Sequence, residues 1–336
     1  MKVAVRILLS VFAGLLGTLA VALGLIASDR PVADPRAASG EGLAFAGVLA
    51  DGPTDIPLAP PHRAVMGDGT ELGYRRWDSD DAGAPLVVAL HGSGWHGAQF
   101  AALGPALAQA GAADVVAPDL RGHGLDPVRR GDIDHVAQLE DDLADLIDQV
   151  RAPGQRVVML GHSSGGGLVM RFAGGRHGDR LDAAILLAPY LQHDAPTARD
   201  TSGGWTRVLT RRIIGLTMLN AIGLTQLNHL TALQFRFPDA VLDGPWAETV
   251  TRAYSYRMMT GFNPRRDWGA DVAALPDFLL VAGAEDEAFV AQAYEPALSA
   301  HSTRGQYRLL PGVGHLDAVD DEGTRAAIAA FLAARP

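Results

Sequence analysis

The stretch Val157 to Met170, VVMLGHSSGGGLVM, narrows the choice of fold more than any other part of the chain. Its apolar run, Val157 to Leu160, is short and bounded by glycine, which suits a strand covered on both faces. The run stops at Gly161-His162-Ser163-Ser164-Gly165, the G-x-S-x-G pattern of a sharp strand-to-helix turn. In such a turn the residues two before and two after the serine crowd together, and glycine fits both places. Ser163 is then expected in a strained backbone conformation that lifts its hydroxyl clear of the sheet, at the positive end of the following helix. Ser164 does not satisfy the pattern, because glycine would have to stand at His162. In a chain with 39 glycines the pentapeptide alone is also compatible with a plain Gly/Ser loop, so the order of the surrounding segments has to decide.

That order is an alternation. His62 to Met66 and Leu72 to Trp77 flank Gly67-Asp68-Gly69, a hairpin signal because Asp-Gly supplies the backbone angles of a tight turn. Leu86 to Leu90 is a continuously apolar strand ending at His91-Gly92-Ser93-Gly94. Helical spacing follows over Ala98 to Ala110, then a strand at Val115 to Pro118 and the turn-rich run Asp119 to Gly124. Leu139, Leu143, Leu146, Ile147 and Val150 share one helical face, opposite Glu140, Asp141, Asp145 and Asp148, which read as a solvated row. After the serine turn comes a strand at Ala184 to Leu187. Strand and helix in alternation with short loops imply a mostly parallel sheet with helices on both faces.

Between Leu191 and Pro276 the pattern breaks. Helices are predicted over Trp205 to Leu219, Leu224 to Phe235 and Trp246 to Met259, with no clear strand, as in a helical cap inserted into the sheet. Regular alternation resumes with a strand at Phe278 to Ala282, a helix over Phe289 to Leu298, a strand at Tyr307 to Leu310 and a helix from Glu322 to Ala333. The expected organisation is residues 29–60 as a linker with an edge strand at Leu43 to Leu49, 61–190 and 277–336 as the core, and 191–276 as the cap.

A chain of 336 residues with 48% apolar content can bury a large core. It has no cysteine, which excludes disulfides, thiol catalysis and cysteine metal sites without identifying a compartment. A net charge of -10 without a basic block argues against a nucleic-acid partner. At the N-terminus, Lys2 and Arg6 precede a charge-free run from Ile7 to Ala27, about the length that crosses a bilayer as a helix. The run exceeds a usual signal-peptide core, so residues 1–28 read as an uncleaved anchor, with cleavage near Ala27 and secretion as the alternative. Basic residues before the span place the rest of the chain outside the cytoplasm.

From about Pro61 onward the chain resembles the α/β-hydrolase superfamily, on four motifs in family order, each after a predicted strand. They are HGSG at His91 to Gly94, PDLRGHG at Pro118 to Gly124, the serine turn, and a pair of loops, Gly283-Ala284-Glu285-Asp286 and Gly312-Val313-Gly314-His315. The resemblance implies an α/β fold with a mostly parallel eight-stranded sheet, an inserted helical cap and a Ser163, Asp286, His315 triad. It also implies an oxyanion hole from the backbone N–H groups of Ser93 and Ser164. A serine hydroxyl needs a base to take its proton, and imidazole titrates in the right range to take it and return it. Asp194 and the flanking Glu285 and Glu287 compete with Asp286 for the acid role.

His91 is expected to prop the oxyanion loop, His162 to pack beside the turn, and Asp119, Arg121 and His123 to hold a turn through local hydrogen bonds. His91, His96 and His123 match no metal pattern, and the glycines after Ser163 lack the lysine of a phosphate loop, so no metal or cofactor is expected.

Cap residues Ile213, Ile214, Leu216, Met218, Leu219, Ile222, Leu224, Met258, Met259 and Phe262 have two open uses, lining an acyl pocket or packing cap helices together. Within the superfamily the motifs are most similar to the monoglyceride lipase and lysophospholipase branch. The implied partner is a small ester with an apolar acyl group, alongside a membrane reached through the anchor. Two alternatives stand beside ester hydrolysis: cleavage of another bond on the same fold (a peptide N-terminus, a lactone, a carbon-carbon bond), or a catalytically silent binder. Oligomeric state is not legible in the chain.

Overall fold

Four segments that are apolar at nearly every position, Leu86–Leu90, Val157–His162, Ala183–Leu187 and Phe278–Gly283, are strands buried along their whole length in the computed structural model. The structure describes residues 2–35, 43, 57, 59–199 and 204–334. In chain order the elements are α1 (Lys2–Ser28), β1 (His62–Val65), β2 (Glu71–Trp77), β3 (Leu86–Leu90), α2 (Leu103–Gln109), β4 (Asp114–Pro118), α3 (Gln138–Val150), β5 (Val157–His162), α4 (Ser164–Ala173) and β6 (Ala183–Leu187). They continue with β7 (Thr206–Val208), α5 (Thr210–Ala221), β8 (Thr231–Phe235), α6 (Asp239–Leu242), β9 (Ala253–Ser255), α7 (Tyr256–Phe262) and α8 (Trp268–Ala274). The last elements are β10 (Phe278–Gly283), α9 (Tyr294–Ser299), β11 (Gly305–Leu310) and α10 (Glu322–Ala333).

Among the described residues eight strands form one sheet in the order β1-β2-β4-β3-β5-β6-β10-β11. β1 and β2 form the expected antiparallel hairpin, β2 pairs antiparallel with β4, and all further pairs are parallel. The central strands are apolar throughout because both faces are covered. Leu86, Val88 and Leu90 pack on the side of α3 and α4, whereas Val87 and Ala89 pack against Leu103 and Leu107 of α2 and Ile328 and Phe331 of α10. β4 lies on one side of β3 and β5 on the other, so the loops leaving β3 and β5 part and open a crevice at their carboxyl ends, the usual ligand position in a parallel sheet.

Three expectations need correcting. The segment between β6 and β10 is not purely helical: β7, β8 and β9 make a three-stranded antiparallel sheet, with β8 where the sequence predicted the end of a helix and β9 inside another. These strands have three to five residues, too short for a period-2 signal to outweigh apolar residues at helical spacing. The helices predicted over 98–110 and 289–298 each divide into a 3-10 turn followed by a short α-helix. Finally, Glu140 is not solvated. It is 3% exposed and bridges Arg171 at 2.7 Å and Arg265 at 2.8 Å, tying α3 to α4 and to the segment after α7. The edge strand expected at Leu43 to Leu49 lies, apart from Leu43, outside the described residues.

Candidate active site

The turn after β5 is built as its glycines require. Ser163 has φ 56° and ψ -120°, a left-handed conformation that costs a side-chain-bearing residue on the order of 1–3 kcal/mol. The neighbouring glycines make it possible: a Cβ on Gly161 would stand 2.3 Å from the Gly165 carbonyl oxygen, and one on Gly165 would stand 2.2 Å from that of Leu90. The Ser163 hydroxyl thereby projects from the carboxyl end of β5 at the start of α4.

His315 and Asp286 arrive from the loops after β11 and β10. His315 Nε2 lies 3.1 Å from Ser163 Oγ, and its Nδ1 lies 2.8 Å from Asp286 Oδ2. The other carboxylate oxygen of Asp286 accepts the backbone N–H groups of Ala288 and Phe289, both at 2.8 Å. Burial alone would raise the Asp286 pKa, but His315 beside it and those two amides hold it below the ordinary carboxylate value. The competing acids are placed elsewhere. Asp194 forms an exposed pair with Arg266 at 3.2 Å, and Glu287 accepts the backbone N–H of His315 at 2.9 Å, bracing the loop that carries the imidazole.

Next to Ser163 in the chain, Ser164 meets Ser93, hydroxyl to hydroxyl, at 2.6 Å. Ser164 opens α4, where backbone N–H groups have no partner within the helix. The peptides flanking Ser93 are pinned on both sides: Gly92 donates its N–H to Gln99 Oε1 at 2.9 Å, and Gly94 donates to the Tyr254 hydroxyl at 2.7 Å.

Two residues in this shell had no sequence signal, Gln99 and Tyr254. Gln99 also donates from Nε2 to His162 Nδ1 at 2.8 Å, which leaves His162 Nε2 carrying the proton and donating to the His315 carbonyl at 3.1 Å. One glutamine and one histidine thus connect the loop after β3, the serine turn and the loop after β11. Burial, with the charge of His315 next, pushes His162 down to about 3, so it stays neutral in this position. Tyr254 comes from β9, far along the chain. It lies 2.5 Å from His123 Nε2, whose other ring nitrogen faces the carbonyls of Leu120 and Arg121.

His91 props the loop as expected. Its Nε2 accepts the Leu120 N–H at 3.2 Å and its Nδ1 donates to the Gly92 carbonyl at 2.9 Å, with burial pushing it down to about 4. The Asp119-Arg121-His123 run is held by distant partners more than by local ones. Arg121 grips Asp142 with two hydrogen bonds of 2.7 Å and reaches Asp68, while Asp119 pairs with Arg75 at 3.1 Å.

A narrow cleft beside Ser163, open to solvent, is lined by Leu43, Trp95, Trp205, Phe237 and Leu316 together with Gly92, Ser93, Gln99, His162 and His315. None of the ten cap residues offered as an acyl lining is among them. Met258 and Phe262 sit in the main core, and Leu216 and Leu219 pack against α1.

An elbow serine after β5, a carboxylate after β10 and a histidine after β11, in that chain order at the carboxyl edge of the sheet, define the α/β-hydrolase class. The family described as serine aminopeptidase, S33, matches residues 83–321, and the chain belongs to it. Human monoglyceride lipase is 26% identical over 170 residues, 50% of this chain and 54% of that protein. The chain spans 32% of the length of an uncharacterized Mycobacterium tuberculosis protein that is 36% identical over 116 residues, 34% of this chain. Among solved structures, a soluble variant of monoglyceride lipase from Saccharomyces cerevisiae superposes with a TM-score of 0.63 at 17% identity, covering 83% of this chain and 98% of that one. A membrane phospholipase A, described as a bacterial virulence factor, superposes at 0.57 and 18% identity over 99% of both chains. At these identities the two structures speak to the fold alone.

Proposed function

We propose that this protein is a serine hydrolase that cleaves carboxylic esters with an apolar acyl group through an acyl-enzyme on Ser163. The observation that carries the reading is the bonding of one imidazole to both partners, 3.1 Å to Ser163 Oγ and 2.8 Å to Asp286. In the first half-reaction His315 Nε2 takes the Ser163 proton as Oγ attacks the ester carbonyl, and Asp286 stabilises the imidazolium that forms. The Ser93 and Ser164 N–H groups donate to the developing oxyanion, each worth about a hundredfold to a thousandfold in rate. His315 then returns the proton to the departing alcohol, and water releases the acid by the same steps.

The aromatic and aliphatic pocket wall favours an acyl chain, and the likeness to human monoglyceride lipase favours a monoacylglycerol-like or lysophospholipid-like ester. The family description favours a second substrate, a peptide N-terminus. Against it, no carboxylate is among the described residues lining the pocket to receive an ammonium group, and burying that charge unpaired is costly. α1 is long and apolar enough to cross a membrane. With Lys2 and Arg6 before the span, an anchored enzyme with its catalytic domain outside the cytoplasm is the matching location, and release after signal cleavage the alternative.

The test is labelling of the folded protein with a fluorophosphonate probe, followed by turnover of short-chain and long-chain p-nitrophenyl esters. Labelling with turnover of a long-chain ester is the expected result. No labelling would leave a silent binder, and labelling without ester turnover would move the reading to another bond.

A further inference from the structure

The structure places α5 against the C-terminal half of α1. Ala22 and Ile26 of α1 are buried against Leu216 and Leu219 of α5, with Leu19 and Met218 packed around them. Gly215 sits at the closest approach, where a Cβ would stand 2.5 Å from the Ala22 carbonyl oxygen and 2.8 Å from the Ile26 side chain. Direction follows from the polar contacts at the end of α1. Arg211, in the first turn of α5, donates its backbone N–H to Asp29 and its guanidinium to the Ser28 carbonyl, both at 3.0 Å. α5 therefore starts where α1 ends and runs back alongside it toward Leu19, a length of α1 of about 14 Å, close to one leaflet of hydrocarbon.

The residues that make this descent have unusual chemistry for an exposed segment. There is no Asp, Glu, Lys or Arg between Arg212 and Arg236, in a chain where one residue in five is charged. Ile214 is 47% exposed, Ile222 37% and Leu224 38%. Three polar side chains of the helix and the turn after it are satisfied within the protein, since Asn220 and Asn228 exchange amide hydrogen bonds of 2.7 and 2.8 Å and Thr217 pairs with the Tyr256 hydroxyl at 3.0 Å, while Thr225, Gln226 and His229 at the far end of the turn are exposed. That internal satisfaction is what hydrocarbon demands and water does not. Charge returns at the level where α1 ends. Asp29 meets Arg211, Asp34 pairs with Arg252, and Val32 exchanges two backbone hydrogen bonds with the Gln234 side chain, at 2.9 and 2.8 Å. Residues 29–35, expected to be part of a loose linker, are here fastened to the segment between β6 and β10.

We propose that α5 and the turn after it, Ile213 to Gln226, enter the lipid bilayer beside α1 as a second apolar element, with the Asp29, Arg211, Asp34 and Arg252 belt at the headgroup level. The proposal builds on the reading of α1 as a membrane anchor and adds that the catalytic domain is itself seated in the leaflet, not carried on a flexible tether. β8 leads from this element toward Phe237 in the wall of the Ser163 pocket, on the order of 20 Å from Leu230 at strand rise. An acyl ester held in the leaflet would thus lie within a strand's length of the pocket.

The absence of cysteine gives the test a clean background. Single variants Val11→Cys, Ile222→Cys and Val128→Cys of the full chain are labelled with a polarity-sensitive fluorophore and placed in phosphatidylcholine/phosphatidylglycerol vesicles with or without doxyl-labelled lipid. Val11 reports α1, and Val128, 83% exposed on the far loop after β4, reports water. The expected result is a blue-shifted, at least twofold quenched signal at positions 11 and 222 and an unquenched one at 128. Quenching at 11 with none at 222 overturns the proposal and leaves the anchor standing. No quenching at 11 removes the anchor and this proposal together. Neither outcome bears on ester hydrolysis, which the fluorophosphonate probe reads independently, and thermal unfolding of each labelled variant checks that it is folded.

Discussion

Apolar runs are used in two opposite ways in this molecule. In β3, β5, β6 and β10 every apolar side chain is covered by protein on both faces of the sheet, and the polar groups gathered at the strand ends are hydrogen-bonded to one another. In α1 and in the stretch from Ile213 to Leu224 apolar residues also predominate, but Val11, Phe12, Leu15, Leu16, Ile214 and Ile222 stay on the outside. The difference teaches that apolarity in a sequence specifies removal from water and not which medium does the removing. Covered runs build a rigid rim for chemistry; uncovered runs wait for a partner. Substitutions on the two sides should therefore behave differently.

The largest effect is expected at the rim itself. Ser163→Ala should abolish probe labelling and lower kcat for an ester by about a millionfold, because attack has no other hydroxyl held by His315. A variant retaining a tenth of the activity would break the assignment of the rim as the reactive side. Next, Asp286→Asn should cost about ten-thousandfold in kcat with the fold intact, whereas Asp194→Asn should leave the rate unchanged; equal losses from the two would reopen the choice of acid.

Tyr254→Phe sharpens the comparison, since this side chain belongs to the segment between β6 and β10 yet serves the rim. It removes the acceptor for the Gly94 N–H and should lower kcat about tenfold at unchanged KM, with a stability loss of about 1–3 kcal/mol. A raised KM at unchanged kcat would mean that the tyrosine shapes the pocket and leaves the oxyanion loop alone.

Acid should weaken the rim by a smaller, graded amount. His162 is pushed down to about 3 and His91 to about 4 by burial, while in the unfolded chain both titrate near 6.5. Between those values the unfolded state binds more protons, so stability is full above the unfolded value and falls as pH drops from about 6.5 toward 4 and then 3, by roughly 1 kcal/mol per pH unit for each histidine. Asp286, held below its ordinary value, adds loss in the same direction below about pH 4. Denaturant midpoints at pH 7, 6, 5 and 4 measure this, and a flat profile contradicts buried neutral histidines. The smallest effect belongs to the uncovered side: Ile222→Asp in detergent-free buffer should change stability by no more than about 0.5 kcal/mol and leave turnover of a water-soluble ester unaltered.

Most of the sheet was legible because its signals are local. Short apolar runs that end in a loop motif mark the buried strands β3, β5, β6 and β10, and G-x-S-x-G dictates its own backbone through crowding that only glycine relieves. The two loops that carry Asp286 and His315 were readable from their positions after successive strands, whereas the choice among Asp286, Glu285, Glu287 and Asp194 was open in the sequence and rests on the hydrogen bond between His315 and Asp286. The segment between β6 and β10 was misread at β8 and β9 because strands of three to five residues carry too little periodicity, and their pairing is decided by partners elsewhere. Glu140 was misplaced for a related reason: a charged residue opposite an apolar stripe points outward unless cations arrive from other elements, and Arg171 and Arg265 do.

By itself, then, the amino-acid order determined the central strands, the strained serine and an N-terminal helix that carries no charge from Ile7 to Ala27, since each follows from residues within one element. Only the tertiary structure decided that Gln99, His162 and Tyr254 pin the loops around Ser163, and that α5 lies back along α1. Those contacts join residues dozens to nearly two hundred positions apart. Their formation depends on how the sheet and its insertion close on one another, and no local pattern encodes that.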